Sequence, residues 1–194
     1  MNIKQQKQIK TFLIEEFGMD KGKILFKEQE EILDEIIKNI SGKSENQKKT
    51  LIQTILPRIA LYKVLLKDNS ENEEIYQQMQ KYMMNVVARQ KHLSMVKVEK
   101  IPGFYSLYSK IFLKVVRNTD LWESEQRYDK NSFDVTMKKC LWHTACVENN
   151  CEKLCHLFCD VDNVTYGGLK KLGFSRTKTL GYGEDCCDFH FYKK

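Results

Sequence analysis

The residue types that can serve as nucleophile, acid, base or anion clamp crowd into the last third of the chain. All seven cysteines and three of the four histidines lie between Cys140 and His190. Cys151, Cys155 and Cys159 recur every fourth residue, a spacing that on a helix lines three thiols along one stripe, with Cys146 offset from it. Small apolar thiols at that spacing also pack a core, and Cys151 and Cys155 fit that reading. Cys159 stands apart, expected at a helix end beside Asp160 and Asp162. A thiol at a helix C-terminus gains nothing from the dipole, so its activation needs a base or cation from elsewhere. In the closing segment, alternation puts Cys187, Phe189 and Phe191 on one face, and Cys186, Asp188, His190 and Tyr192 on the other. A carboxylate at Asp188 beside the His190 imidazole would fix its tautomer and raise its basicity, though an ordinary polar row has the same pattern. Arg176 could clamp a carboxylate with two hydrogen bonds, or pair with Asp188. Asp134, Thr136 and Cys140 share the polar face of an earlier strand. If these strands form one sheet, a single cleft would gather Cys140, Cys159, Asp162, Arg176, Asp188 and His190.

The elements that must position these groups follow from periodicity. Ile9, Phe12, Leu13 and Phe17 recur at helical spacing and Gly18 stops them. Ile32, Leu33, Ile36, Ile37 and Ile40 mark a second amphipathic helix that Gly42 ends. Ser44 and Gln47 have capping-box spacing and open a third helix through Leu51, Ile55 and Ile59. Pro57 inside it predicts a kink or break. Asp68-Asn69-Ser70 reads as a turn, with Ser70 and Glu73 repeating the capping spacing. A long helix then carries Ile75, Met79, Tyr82, Met83 and Val87 and ends before Pro102-Gly103. Met79 and Met83 are expected in the core with Met84 beside it, and His92 at the surface. Leu107, Tyr108, Ile111, Phe112, Val115 and Val116 form the stripe of a further helix. Residues 118–132 read as a loop anchored by Trp122. Phe133, Val135 and Met137 alternate with Asp134, Thr136, Lys138 and Cys140, a half-buried strand. A helix is expected from Trp142 to Phe158 and a short one from Asp162 to Lys171. A strand from Phe174 to Leu180 would pair with Cys186–Tyr192 across a glycine turn. The fold class is α+β, a single domain over 1–194. Residues 1–117 would be a mainly helical scaffold packed on a small antiparallel sheet, with the sheet and site in 133–192.

The composition sets the class of partner. With 42% hydrophobic and 30% charged residues the chain reads as an ordinary globular protein. Its net charge of +6 is spread among acidic residues, without a basic block interleaved with aromatics, which argues against nucleic acid. No apolar run approaches the roughly 20 residues that span a bilayer, and the first residues lack a signal-peptide block. A cytoplasmic location is expected, where the cysteines would be thiols, metal ligands or reactive groups rather than a disulfide framework. The absence of CxxC spacing argues against structural zinc or an iron–sulfur cluster.

Four segments carry a resemblance: Leu56 to Glu74, Phe133 to Cys140, Lys153 to Asp162, and Phe174 to Tyr192. A strand ending in cysteine, a helix leading to C-x-x-D, an RT-x-T segment and a closing G-x-x-x-CDF strand follow in order. The sequence resembles the L-2-amino-thiazoline-4-carboxylic acid hydrolase family, matching at Cys140, Cys159, Asp162, Arg176, Thr177, Thr179, Gly183, Cys187, Asp188 and Phe189. The resemblance implies a hydrolase that adds water at the carbon between nitrogen and sulfur of a cyclic isothiourea and breaks its C–S bond. The product would be N-carbamoyl-L-cysteine. Such chemistry needs an activated water or thiolate, a proton for the leaving atom, and an anchor for the substrate carboxylate. To meet these needs Arg176 would anchor the carboxylate, Asp162 or His190 would act as base and acid, and Cys159 or Cys187 as nucleophile or metal ligand. Thr177, Asp188 and Cys140 would contact the small-molecule substrate. A divalent metal activating water is a variant of this scheme. Cys146, Cys151 and Cys186 are additional to the family pattern, and His190 stands where arginine is expected at least as often. The glycine turn followed by C-x-F also resembles small-molecule-binding domains related to 4-vinyl reductases, often dimeric, so a homodimer stays open. A cysteine-rich metal or redox protein is a third reading. A polar cleft at Cys159, Asp162 and Arg176 would favour the enzyme, and a buried apolar tunnel the binder.

Overall fold

A computed structural model describes residues 3–68 and 72–194. It is α+β and separates into two compact units: one holds the chain up to Tyr82 with Ala145–Leu154, the other Met83–Thr144 with Cys155–Lys194. No helix among the described residues is long and apolar enough to cross a membrane.

The first unit is helical: α1 (Ile3–Phe17), α2 (Met19–Lys38), α3 (Glu45–Thr50), α4 (Leu56–Asp68) and α5 (Asn72–Lys81). Gly18, at φ 83°, separates α1 from α2 as its position predicts. Gly22 allows the two helices to cross closely, since a Cβ there would stand 2.6 Å from the Leu13 carbonyl oxygen. The Ser44–Gln47 capping box forms in both directions. The kink expected at Pro57 takes the form of a widened π-type turn, Leu51–Ile55, immediately before it. Buried Gln29 donates to the Pro57 carbonyl at 3.0 Å and exchanges hydrogen bonds with Gln6. The expected turn at Asn69-Ser70 and the Ser70 cap lie outside the described residues.

In the second unit a π-type stretch, Tyr82–Ala88, divides the expected long helix and leads into α6 (Arg89–Val98). Met79 and Met83 are fully buried, as their spacing predicts. His92 is half-buried rather than free at the surface, its Nδ1 3.2 Å from the Thr165 carbonyl oxygen. Then come α7 (Phe104–Arg117), β1 (Trp122–Tyr128), β2 (Ser132–Cys140), α8 (Leu141–Glu148), whose second half from Ala145 is counted in the first unit, α9 (Glu152–Tyr166), of the second unit from Cys155 on, β3 (Leu172–Ser175) and β4 (Cys187–Lys193). The sheet is antiparallel in the order β1-β2-β4-β3. Its apolar face, Phe133, Val135, Met137, Phe189 and Phe191, shares a core with Phe104, Leu113 and Val116 of α7. Aromatic rings dominate this core, with Phe133 stacked on Phe191 at 4.8 Å and Tyr166 edge-on to Phe191. Those rings decide how α7 is turned. Leu107, Ile111 and Val115, expected in its buried stripe, are 44%, 54% and 52% exposed.

Four local expectations change. The segment expected as a loop forms β1, an edge strand whose polar sequence conceals it. Glu125 pairs with Lys138 and Glu123 with Lys139 across the ladder, and such charges also block further strand addition. The expected single helix from Trp142 breaks at Asn150, whose φ of 55° asparagine tolerates better than most residues. Cys151 sits at this corner, its amide 2.9 Å from the Cys146 carbonyl, outside any stripe with Cys155 and Cys159. Helix α9 then runs unbroken to Tyr166, so Cys159 lies within it rather than at its end, and no separate helix covers 162–171. Finally, β3 stops at Ser175. The Asp188 carboxylate accepts the amides of Thr177 and Lys178, drawing that segment out of the ladder.

Candidate functional site

Period-two alternation in β2 and β4 sorts the expected site residues onto two faces of the sheet. Cys159, Asp162, Arg176 and Cys187 meet on the inner face with Cys140, whereas Asp188 and His190 face outward beside Thr177. They do not form one cleft, because a strand sends successive side chains to opposite sides. Cys140 reaches the inner group through a β-bulge. Ser124 pairs with Met137 and Glu123 with Lys139, leaving Lys138 as the extra residue and reversing the alternation beyond it.

Helix α9 supplies the core of the inner site. Cys155, Cys159, Asp162 and Tyr166 recur at three- and four-residue steps, so they share one face. The Thr179 hydroxyl donates to Cys159 Sγ at 3.0 Å and accepts the Gly181 amide at 3.1 Å. The thiols of Cys155 and Cys187 lie beside Cys159, and the Leu180 amide lies 3.4 Å from Cys187 Sγ. These donors, Cys155 first, then Cys187 and Thr179, together with the positive charge of Arg176, pull the Cys159 thiol far below its ordinary range against the effect of burial. Cys187 moves the opposite way, because its proton is held by Cys159 and its surroundings are desolvated. Of the two, Cys159 is thereby the more readily ionised and Cys187 the one that holds its proton. Burial pushes the Cys140 thiol up to about 11, a protonated neighbour at neutral pH.

The charged members sit beside this sulfur. The Arg176 side chain is only 4% exposed. Its Nη2 donates to the Cys159 carbonyl at 3.1 Å and to Asn163 Oδ1 at 3.4 Å, and its guanidinium lies over the Phe189 ring at 5.5 Å. Nη1 is buried, makes no hydrogen bond, and stands 3.7 Å from Asp162 Oδ2. Burial raises the Asp162 carboxyl to about 6, opposed by the charges of Lys91 and Arg176.

A short 3₁₀ turn, Leu180–Tyr182, covers the sulfur. Tyr182 stacks on His156 at 4.2 Å and donates to Asp160 at 2.9 Å, pinning the turn to α9. Only glycine fits at 181, because a Cβ there would stand 2.7 Å from Cys159 Sγ and 3.0 Å from the Cys155 carbonyl oxygen. Gly181→Ala should destabilise the protein by about 1–3 kcal/mol and displace the turn. Thermal melting and the rate of Cys159 alkylation check this, and an unchanged melting point with unchanged alkylation would contradict the close packing.

On the outer face Asp134, not Asp188, holds the histidine, with Oδ1 2.6 Å from His190 Nδ1. Burial works against the charge of Asp188, but donors from Thr177 and Lys178 outweigh it and hold the carboxyl below its ordinary range. Asp188 is thereby a clamp on the chain after Arg176, accepting the Thr177 and Lys178 amides and the Thr177 hydroxyl. Glu125, Arg127, Asp134, Thr136, Asp188 and His190 line a shallow groove of about 280 Å³. A larger cleft of about 700 Å³ belongs to the first unit and contains none of the expected site residues. Among the described residues no three His, Cys, Asp or Glu side chains converge in a metal-binding arrangement. The donor set therefore does not fit the divalent metal of the sequence-based variant.

Cys155 is buried as the core reading predicts and in addition adjoins Cys159, whereas Gly181 is expected only in a turn and Asp134 lies outside the expected His190 pair. The four-residue step from Cys155 to Cys159 was the available signal for the first. The other two depend on which distant segments meet.

No protein with a curated description matches the chain. An H-NOX protein from K. algicida in the Fe(II) unliganded state is 15% identical with a TM-score of 0.38, covering 100% of this chain and 97% of its own. An H-NOX protein from S. oneidensis in the Fe(II)NO ligation state is 12% identical with a TM-score of 0.33, covering 100% and 99%. Scores this low carry no argument about fold or ligand. The family comparison is of another order, because its match spans residues 45–191 and takes in the whole inner site. By that match the chain belongs to the L-2-amino-thiazoline-4-carboxylic acid hydrolase family.

Proposed function

We propose that the protein hydrolyses L-2-amino-thiazoline-4-carboxylate, or a close cyclic isothiourea bearing a carboxylate, to the N-carbamoyl thiol. One observation carries this reading: a sulfur that accepts the Thr179 hydroxyl lies in the same site as a buried guanidinium with an unused N–H. Cys159 supplies the nucleophile, Cys187 the proton and Arg176 Nη1 the carboxylate anchor.

The Cys159 thiolate attacks the amidinium carbon, and the ring C–S bond breaks. As Cys159 loses its negative charge it releases its hold on the Cys187 proton, which passes to the departing ring sulfur. Cys187, now a thiolate, takes a proton from water as the oxygen adds to the carbon of the enzyme-bound isothiouronium. The ionised Asp162 takes the remaining hydroxyl proton, the carbonyl forms, and Cys159 leaves as thiolate. The net change is addition of one water and release of the amidinium proton.

The direct test is incubation of the protein with L-2-amino-thiazoline-4-carboxylate and detection of N-carbamoyl-L-cysteine by mass spectrometry. Product above a heat-treated control is expected, and none from folded protein would reject this substrate. Arg176→Ala should raise KM about 100-fold, the effect of leaving a buried carboxylate without its charged partner. A KM within threefold of wild type would remove the anchor role. His190→Ala, on the far side of the sheet, should leave kcat/KM within about twofold, and a loss beyond tenfold would return His190 to the chemistry.

A further inference from the structure

We infer that Cys159 is also a peroxide-reactive modification site, with Cys187 as its resolving partner in a reversible inner-site disulfide. The Cys159 and Cys187 sulfurs border one short stretch of chain: Thr179 donates to Cys159 Sγ at 3.0 Å, the next amide, Leu180, lies 3.4 Å from Cys187 Sγ, and all seven cysteines are unbridged. A thiolate is the form that hydroperoxides oxidise, and Arg176 beside it favours the negative charge that the reaction consumes.

The steps balance. The Cys159 thiolate attacks one oxygen of a hydroperoxide, the O–O bond breaks, and hydroxide or alkoxide leaves. Sulfur is oxidised to the sulfenic acid and the peroxide oxygen is reduced. The Cys187 sulfur then attacks the sulfenic sulfur, the S–O bond breaks, and the Cys187 proton leaves with the hydroxyl as water. Two equivalents of a thiol reductant reverse the bridge.

Geometry selects Cys187 over Cys155. Cys155 and Cys159 are four residues apart on one helix, where Cβ atoms stand about 5–6 Å apart. A disulfide needs about 3.5–4.5 Å, so bridging them would require α9 to distort. Cys187 approaches from β4, a separate element, so joining it to Cys159 leaves the turns of α9 intact. The covering turn and the tight fit at Gly181 leave little room for larger oxidants, which favours hydrogen peroxide itself.

The bridge does not depend on the hydrolase reading, whereas its consequence, reversible loss of hydrolysis, rests on it. The test is treatment of the full-length reduced protein with one equivalent of hydrogen peroxide, followed by thiol titration, intact mass and peptide mapping. Two of the seven thiols should disappear. The mass should fall by about 2 Da with one crosslink joining the Cys159 and Cys187 peptides, and dithiothreitol should restore both thiols. Cys187→Ser should stop at a Cys159 sulfenic acid that dimedone traps, and Cys155→Ala should still form the bridge. A wild-type map with Cys159 unmodified, or joined chiefly to Cys155, overturns the inference, and it needs no variant to fold. A protein that hydrolyses but does not bridge overturns this inference alone. One that bridges but does not hydrolyse overturns only the hydrolase reading.

Discussion

Serine in place of Cys159 should lower the proposed kcat/KM for L-2-amino-thiazoline-4-carboxylate by at least about 10³-fold. The substitution keeps the size and hydrogen bonding of the side chain and removes its easy ionisation. The Thr179 hydroxyl and the nearby Arg176 charge favour a thiolate but fall far short of forming an alkoxide. Cys187 also faces a neutral hydroxyl in place of a negative sulfur, so release of its proton to the departing sulfur is no longer coupled to attack. Product formation by mass spectrometry reads the loss, and a thermal melt within a few degrees of wild type shows that the fold survives. Activity within tenfold of wild type would eliminate Cys159 as nucleophile and leave water activated by Asp162 as the first step.

Asp162→Asn has effects of opposite sign on activity and on stability. The folded carboxyl titrates at about 6, against roughly 3.9 when unfolded. The native state therefore holds this proton more tightly, and between these values it binds more protons than the unfolded chain does. Stability from this group is fully present below about pH 4 and is lost as pH rises through 6. The cost of ionisation above that point is at most about 3 kcal/mol, and less in practice because the side chain keeps 29% of its surface in water. Asparagine carries no such cost. The variant should gain stability relative to wild type between pH 4 and 7 and hold that advantage above it. Its kcat/KM should fall about 10²–10³-fold, and the rise in wild-type activity through pH 6 should vanish, because the ionised carboxylate takes the hydroxyl proton. Paired melting curves and pH–rate profiles check both halves. A stability difference that stays constant from pH 4 to 7 would mean that Asp162 ionises as an exposed carboxylate does.

The two expectations test different links of one chain of causes. Cys159 tests whether side-chain donors make a nucleophile, and Asp162 tests whether burial tunes a base. Both depend on α9 running unbroken through residue 162, which keeps thiolate and carboxylate three residues apart on one face. Had the helix ended at Cys159, Asp162 would have been free to turn into water and titrate near its ordinary value.

Much of this protein is written in local patterns. The capping box at Ser44, the stop at Gly18, the buried row Phe133, Val135 and Met137, and the buried row Phe189 and Phe191 follow from spacing. Each reflects a repeat of 3.6 or 2 and the residue that ends it. The order of C-x-x-D, RT-x-T and CDF likewise pointed to the family and to Cys159, Asp162, Arg176 and Cys187. What only the tertiary structure decided is how those groups are sorted and paired. One extra residue at Lys138 turns Cys140 inward, Asp188 is spent on the Thr177 and Lys178 amides, and Asp134 takes His190. Gly181 reaches the sulfur from 22 residues away along the chain. Periodicity is set by each residue's neighbours in the chain and so can be read locally. Pairing of polar groups is set by strand register and by which distant segments meet, because a buried donor or acceptor bonds whatever partner the completed fold brings within 3 Å or so.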